Sequence, residues 1–184
     1  AEKIIELAQQ NQTTLLNSSA LRFSQEVKES ALQNQQLGKT NGAVTYGPAK
    51  RSDGNPGLFH YGIHSVELLF ELLGSGCETV STTWSEEAEV VTGVWSDGRI
   101  GTVRGNRTGV TSYGFIAYCD AGVVSETVST RFAYRNLCHE IVKTFESKCP
   151  SVTHKSNLDV VRFVLASLKS ERSSGQPVSL RDMT

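Results

Sequence analysis

Apolar positions along this chain shift from helical to alternating spacing and back, and the shifts mark its elements. Residues 1 to 10 set Ile4, Ile5, Leu7 and Ala8 among polar neighbours, which predicts an amphipathic helix. Thr13 to Ser18 is short and β-branched with Leu15 and Leu16 at its centre, and predicts a buried strand. Residues 24 to 37 are polar but carry Val27, Ala31 and Leu32 at helical spacing, with Gly38 as the stop. Helix, strand and helix in succession is the rhythm of an α/β unit. One buried strand cannot make a parallel sheet, so residues 1–38 read as the tail of a larger domain.

From residue 39 onward the pattern changes character. Gly42 to Ala49 predicts a strand that runs into the turn cluster Asp53-Gly-Asn-Pro-Gly57. Next comes the most apolar helix of the chain, with Val66, Leu69, Phe70 and Leu73 on one face and Leu68 and Leu72 widening it. Gly74 stops it. Five β-rich runs follow, Glu78–Trp84, Glu89–Trp95, Arg99–Gly105, Ser112–Cys119 and Val123–Thr130, joined by hairpin signals such as Asp97-Gly98 and Asp120-Ala-Gly122. Two helices close the chain: Tyr134–Lys148, with Leu137, Ile141, Val142 and Phe145 apolar, and Asn157–Ser170, with Val160, Val161, Val164, Leu165 and Leu168 apolar. The sum is an α+β domain over 39–184, a mostly antiparallel, mixed open sheet with helices on one face.

Composition narrows the function classes. A net charge of -1 gives no electrostatic reason to expect nucleic acid or an anionic membrane as partner. No apolar run is long enough to span a bilayer, and no secretory leader opens the sequence, so a cytoplasmic protein is expected. Cys77, Cys119, Cys138 and Cys149 show neither a C-x-x-C pair nor zinc-ribbon spacing, and read as buried thiols of a reducing compartment.

Chemistry concentrates at the start of the central helix. On a helix, His60 and His64 stand four apart with Glu67 three further on, so the three share one edge. Zinc is a weak candidate for that edge, because the H-E-x-x-H base is absent and no second cluster adds a ligand; no metal is expected. His64 has two readings from spacing alone: a histidine that hydrogen-bonds a nearby turn, or a general acid/base. Arg22 follows a strand end, where ligands of α/β sheets gather, and could equally cap a carboxylate. Arg99, Arg104 and Arg107 alternate with Glu86, Glu87, Glu89 and Asp97, a mixed-charge sheet surface. Trp84 and Trp95 read as sheet packing or a subunit interface in preference to a sugar platform.

These residues carry a resemblance. His60-x-x-x-His64 followed by Glu67 resembles the start of the substrate domain in the glucose–fructose oxidoreductase, inositol dehydrogenase and rhizopine-catabolism family, Gfo/Idh/MocA. There a Gly-rich turn leads into a helix with Asp-x-x-x-His and an acidic residue three positions later; here His60 stands at the Asp position. Leu21-Arg22-Phe23 is similar to the Arg-Phe that closes the family's dinucleotide domain. Val94-Trp-Ser-Asp97-Gly98-Arg-Ile-Gly101 is similar to its central strand pair, and Ser170 to Leu180 to its closing helix and tail.

The resemblance implies that His64 is catalytic, handling the proton of a substrate hydroxyl while hydride passes to a nicotinamide. It implies that His60 and Arg22 bind substrate. It further implies a sugar, cyclitol or related polyol as substrate, NAD or NADP in the parent protein, and a homo-oligomer paired through the open sheet face. No G-x-G-x-x-G follows a strand, and the family's Glu-Lys-Pro is missing, so no cofactor is expected for this chain alone. The rival reading is a non-catalytic module that binds a sugar-like ligand or dimerises.

Overall fold

The computed structural model describes residues 1–183, the side chains of residues 34 and 35 excepted. Helix α1 (Glu2–Gln10) and helix α2 (Gln25–Leu37) flank a 3-10 turn over Ala20–Phe23. After α2 come β1 (Thr40–Pro48), α3 (Gly62–Leu73), β2 (Cys77–Trp84), β3 (Ala88–Trp95), β4 (Ile100–Asn106), β5 (Tyr113–Cys119) and β6 (Gly122–Val128). Helices α4 (Ala133–Ser147) and α5 (His154–Arg172) and the two-residue β7 (Val178–Ser179) complete the chain. All seven strands join one open sheet in the order β6-β5-β1-β4-β3-β2-β7. Every neighbouring pair is antiparallel except β1 with β4, which is parallel. That exception arises because β1 leaves the sheet through α3 and its neighbours β4 and β5 fill in on either side later in the chain.

The strand expected over Thr13 to Ser18 does not form. Residues 13–18 are irregular, with Thr14, Leu15, Leu16 and Ser18 half-buried, and among the described residues no strand lies beside them to complete a ladder. Leu15 and Leu16 instead share an apolar groove with Ile4, Ile5, Leu158 and Val161. Helix α2 buries Val27 but leaves Leu32 exposed, and its stop is Gly38 at φ 87°, a conformation that suits glycine.

Alternation decides which sheet face is covered. In β3, Glu89, Val91, Gly93 and Trp95 face the helices and are buried, while Val90, Thr92 and Val94 face away. Helix α3 lies over β1, β4 and β5, and α5 lies over β2. Their shared core contains Val66, Leu69, Phe70, Val91, Trp95, Val103, Phe163 and Val164, with Phe70 set edge-on to Phe163 at 5.8 Å. At Gly101 an added Cβ would meet Leu73 Cδ1 at 2.7 Å, so the missing side chain lets α3 settle onto β4. A second cluster of Leu21, Val27, Leu68, Tyr113, Phe115, Val124 and Val128 joins the N-terminal segment to β5 and β6. The uncovered face exposes Val94, Ile100, Tyr118 and Val123.

Helix α4 departs from expectation. It forms where its periodicity places it, yet Ile141, Val142 and Phe145 stay exposed, and only Ala133 and Thr144 are buried. It lies against the Ala20–Phe23 turn rather than the main core, held by Asn136 Nδ2 donating to the Phe23 carbonyl at 2.8 Å. The thiols also divide: Cys77 is buried, and burial pushes it up to about 12, whereas Cys138 and Cys149 are exposed rather than buried.

Candidate functional site

The connection from β1 to α3 sets the site. A 3-10 turn over Gly57–Phe59 leads to His60, then to Tyr61 at φ 61°, and α3 starts at Gly62. Tyr61 is a bulky residue in the left-handed region, which costs of order 1–2 kcal/mol and persists only where surroundings impose it. His60 therefore lies before the helix, and the shared edge expected for His60, His64 and Glu67 does not form. The turn at Tyr61 swings the His60 ring away, and its Nδ1 lies 2.9 Å from the Lys50 carbonyl oxygen. Among the described residues no group of three His, Cys, Asp or Glu is placed to hold a metal ion.

His64 and Glu67 do share the first turns of α3. His64 is a third exposed, and its Nδ1 is sealed from solvent 4.0 Å from Glu67 Oε2, close enough to pair electrostatically and too far for a hydrogen bond. With Nδ1 sealed, the imidazole meets solvent through its other edge. Glu67 is 6% exposed and accepts from the backbone N–H of Ser19 at 3.0 and 3.3 Å. Burial acts against its ionisation, but His64, the Arg22 guanidinium and Ser19 outweigh that cost and hold the carboxyl below its ordinary value.

Arg22 is 4% exposed. Its Nη1 donates to Glu71 Oε2 at 2.9 Å, and its Nε stands 3.9 Å from Glu67 Oε1. Glu67 thus lies between His64 and Arg22. The N-terminal segment is pinned to α3 at this point, through one backbone N–H and one guanidinium.

Two tyrosines complete the site, and the sequence reading named neither. The Tyr61 ring lies 4.7 Å from His60 and 6.2 Å from His64. The Tyr113 ring lies edge-on to His64 at 5.9 Å. Its hydroxyl is buried with no hydrogen-bond partner among the described residues, and burial, then Tyr61 and Tyr134, pushes it up to about 12. Tyr113 is therefore an O–H donor at neutral pH. Glycine at position 47 makes room for it: a Cβ there would stand 2.6 Å from Tyr113 Cε1 and 2.6 Å from Ser65 Oγ. Positive φ before a helix and a glycine beside a β-strand aromatic are backbone facts, so neither tyrosine carried a signal in its spacing. Glu71, four residues past Glu67, was legible as the next position on the same helical edge.

Elsewhere the mixed-charge surface expected from the sequence forms only in part: Arg99 Nε lies 2.8 Å from Asp97 Oδ2 at the surface, whereas Glu89 is buried on the helix side of the sheet with Arg107 3.5 Å away. Among the described residues, 49–61 form a long connection between β1 and α3, unlike a tight glycine turn onto a helix N-terminus.

No family model and no curated protein matches the sequence. Solved structures do match the fold. A protein assigned as a myo-inositol dehydrogenase from Sinorhizobium meliloti 1021 superposes with a TM-score of 0.85 at 13% identity, over 97% of this chain and 69% of its own. The scyllo-inositol dehydrogenase of Lactobacillus casei, solved with NAD(H) and scyllo-inositol, gives 0.79 at 12% identity over 96% and 67%. The myo-inositol dehydrogenase of Lactobacillus casei, in complex with NAD(H) and myo-inositol, gives 0.74 at 12% over 97% and 66%. The α+β fold expected from the sequence is thus matched across nearly the whole chain by inositol dehydrogenases of 12–13% identity, a likeness of fold.

Proposed function

We propose that this chain is the substrate domain of a Gfo/Idh/MocA-type oxidoreductase that acts on a cyclitol or other sugar-like polyol with NAD or NADP. The observation that carries the reading is His64 on the first turn of α3, its Nδ1 sealed against ionised Glu67 and its opposite edge open. A carboxylate beside one ring nitrogen favours the tautomer that leaves the other nitrogen free to accept a proton. His64 then takes the proton of a substrate hydroxyl as that carbon is oxidised. Tyr113, edge-on to the His64 ring, fixes its orientation, and His60 binds substrate from the far side of Tyr61. Arg22 acts through Glu67 and binds substrate where the domains meet. No step at the cofactor is assigned to this chain's residues.

Residues 1–38 serve, in this reading, as the tail of the dinucleotide domain, and the greater length of the inositol dehydrogenases supports that division. The uncovered sheet face, with Val94, Ile100, Tyr118 and Val123 exposed, is the pairing surface of a homo-oligomer. The thiols of Cys77, Cys138 and Cys149 support a reducing, cytoplasmic location. The lack of a G-x-G-x-x-G after a strand in this sequence favours a second reading, a module that binds a sugar-like ligand or dimerises without catalysis. Oxidation of cyclitols and hexoses by the protein carrying this domain, wild type against His64→Asn, separates the two. The variant should lose about 10²–10⁴-fold in turnover with KM little changed. Binding of a polyol with no turnover in the wild type would establish the second reading; unchanged turnover in a folded His64→Asn would remove His64 from catalysis.

A further inference from the structure

Strand β2 outruns the helix that covers it. Thr82 is still under α5: its Oγ1 donates to the Ser167 carbonyl at 3.0 Å, and its N–H donates to Ser170 Oγ at 3.0 Å. Two residues later Trp84 points to the same side, but α5 ends at Arg172, and the indole is 42% exposed. The space left above it is a cavity of about 760 Å³ between residues 51–57 and the last turn of α5. Its walls bring together Arg51, Asp53, Trp84, Leu168, Glu171 and Arg172. Arg51 and Glu171 form an ion pair that holds the connection against the helix.

Trp84 lies on the helix side of the sheet, opposite the face available for pairing, because it is paired with Glu89, which faces the core. Its exposure is therefore explained neither by core packing nor by that interface. Trp95, the other indole, is core and 2% exposed.

We infer that this cavity is a binding subsite for a neutral carbohydrate ring. An exposed indole presents a flat apolar face for the C–H side of a sugar. Arg51, Asp53, Glu171 and Arg172 surround it with planar donors and acceptors that can each bridge neighbouring hydroxyls. Two cations face two carboxylates, so the walls carry no net charge to select an ionic ligand. A purely apolar ligand would strip water from four charged groups and return nothing. The inference stands apart from the role of His64, although the same connection serves both places: His60 contacts the Lys50 carbonyl, one residue before Arg51.

The test uses the tryptophans, since only Trp84 is open to a quencher. Acrylamide quenching of the full chain is followed while glucose, cellobiose or myo-inositol is added to about 0.1 M, a range in which even millimolar binding saturates. Protection of the exposed indole by glucose or cellobiose is expected, and it should survive in His64→Asn. Tighter binding of cellobiose than glucose marks an extended saccharide; equal binding marks a single ring. Ligand-observed NMR on a folded Trp84→Leu should show binding at least tenfold weaker. No protection by any of the three, undiminished binding in Trp84→Leu, or protection lost in His64→Asn would overturn the assignment.

Discussion

Replacing Glu67 with Gln keeps the side chain's size and one carbonyl oxygen but deletes its charge. The amide can still accept from Ser19, so that contact changes from a charge-assisted bond to a neutral one, a loss of about 1 kcal/mol. Arg22 loses the carboxylate 3.9 Å from its Nε but keeps Glu71 at 2.9 Å. Orphaning a buried charge costs about 3–5 kcal/mol, and the remaining pair makes that an upper bound. Part of the loss is offset because a neutral amide is cheaper to bury. The net expectation is about 1–3 kcal/mol at neutral pH.

The pH dependence identifies the cause. Glu67 has a folded pKa below its unfolded value of 4.5, so its contribution is present above 4.5 and is lost as pH falls through the depressed value. Urea unfolding of wild type and Glu67→Gln should differ at pH 7 by a midpoint shift of about 1 M, given a slope near 2 kcal/mol/M. That difference should close as pH falls below 4.5. An equal loss at both pH values would show that shape rather than charge matters here. No loss at pH 7 would show that Glu67 does not tie the N-terminal segment to α3.

Two further perturbations probe the neighbouring structure. Gly47→Ala places a methyl 2.6 Å from Tyr113 Cε1 and Ser65 Oγ. It should destabilise by about 1–3 kcal/mol and move the ring beside His64, read by thermal unfolding and the Tyr113 ring resonances. Ile100→Arg puts a charge on the middle strand of the uncovered sheet face, where Ile100 is 54% exposed. It should convert an oligomer to monomer by light scattering with little change in Tm; an unaltered mass would remove this face from assembly.

Much of the fold was legible because burial on a sheet or helix leaves a period. The five β runs from residue 78 to 130, the apolar α3 and the α5 stripe all form within a few residues of where their patterns place them. The glycine stops at Gly38 and Gly74 did too, since both adopt positive φ. His64 and Glu67 were legible as one helical edge for the same reason.

What failed did so where a neighbour far along the chain decides. Leu15 and Leu16 look like a strand centre, but a strand needs a partner, and none lies beside them among the described residues. The stripe on α4 forms its helix without finding the main core. His60 fell off the helical edge because the left-handed turn at Tyr61 starts α3 two residues after it. Tyr113 reaches His64 from β5, Ser19 reaches Glu67 across 48 positions, and Trp84 is bared by the end of a helix some ninety residues away. Local sequence fixes periodicity and backbone preference; which side chains meet, and which are left uncovered, follows only once the sheet order sets the helices in place.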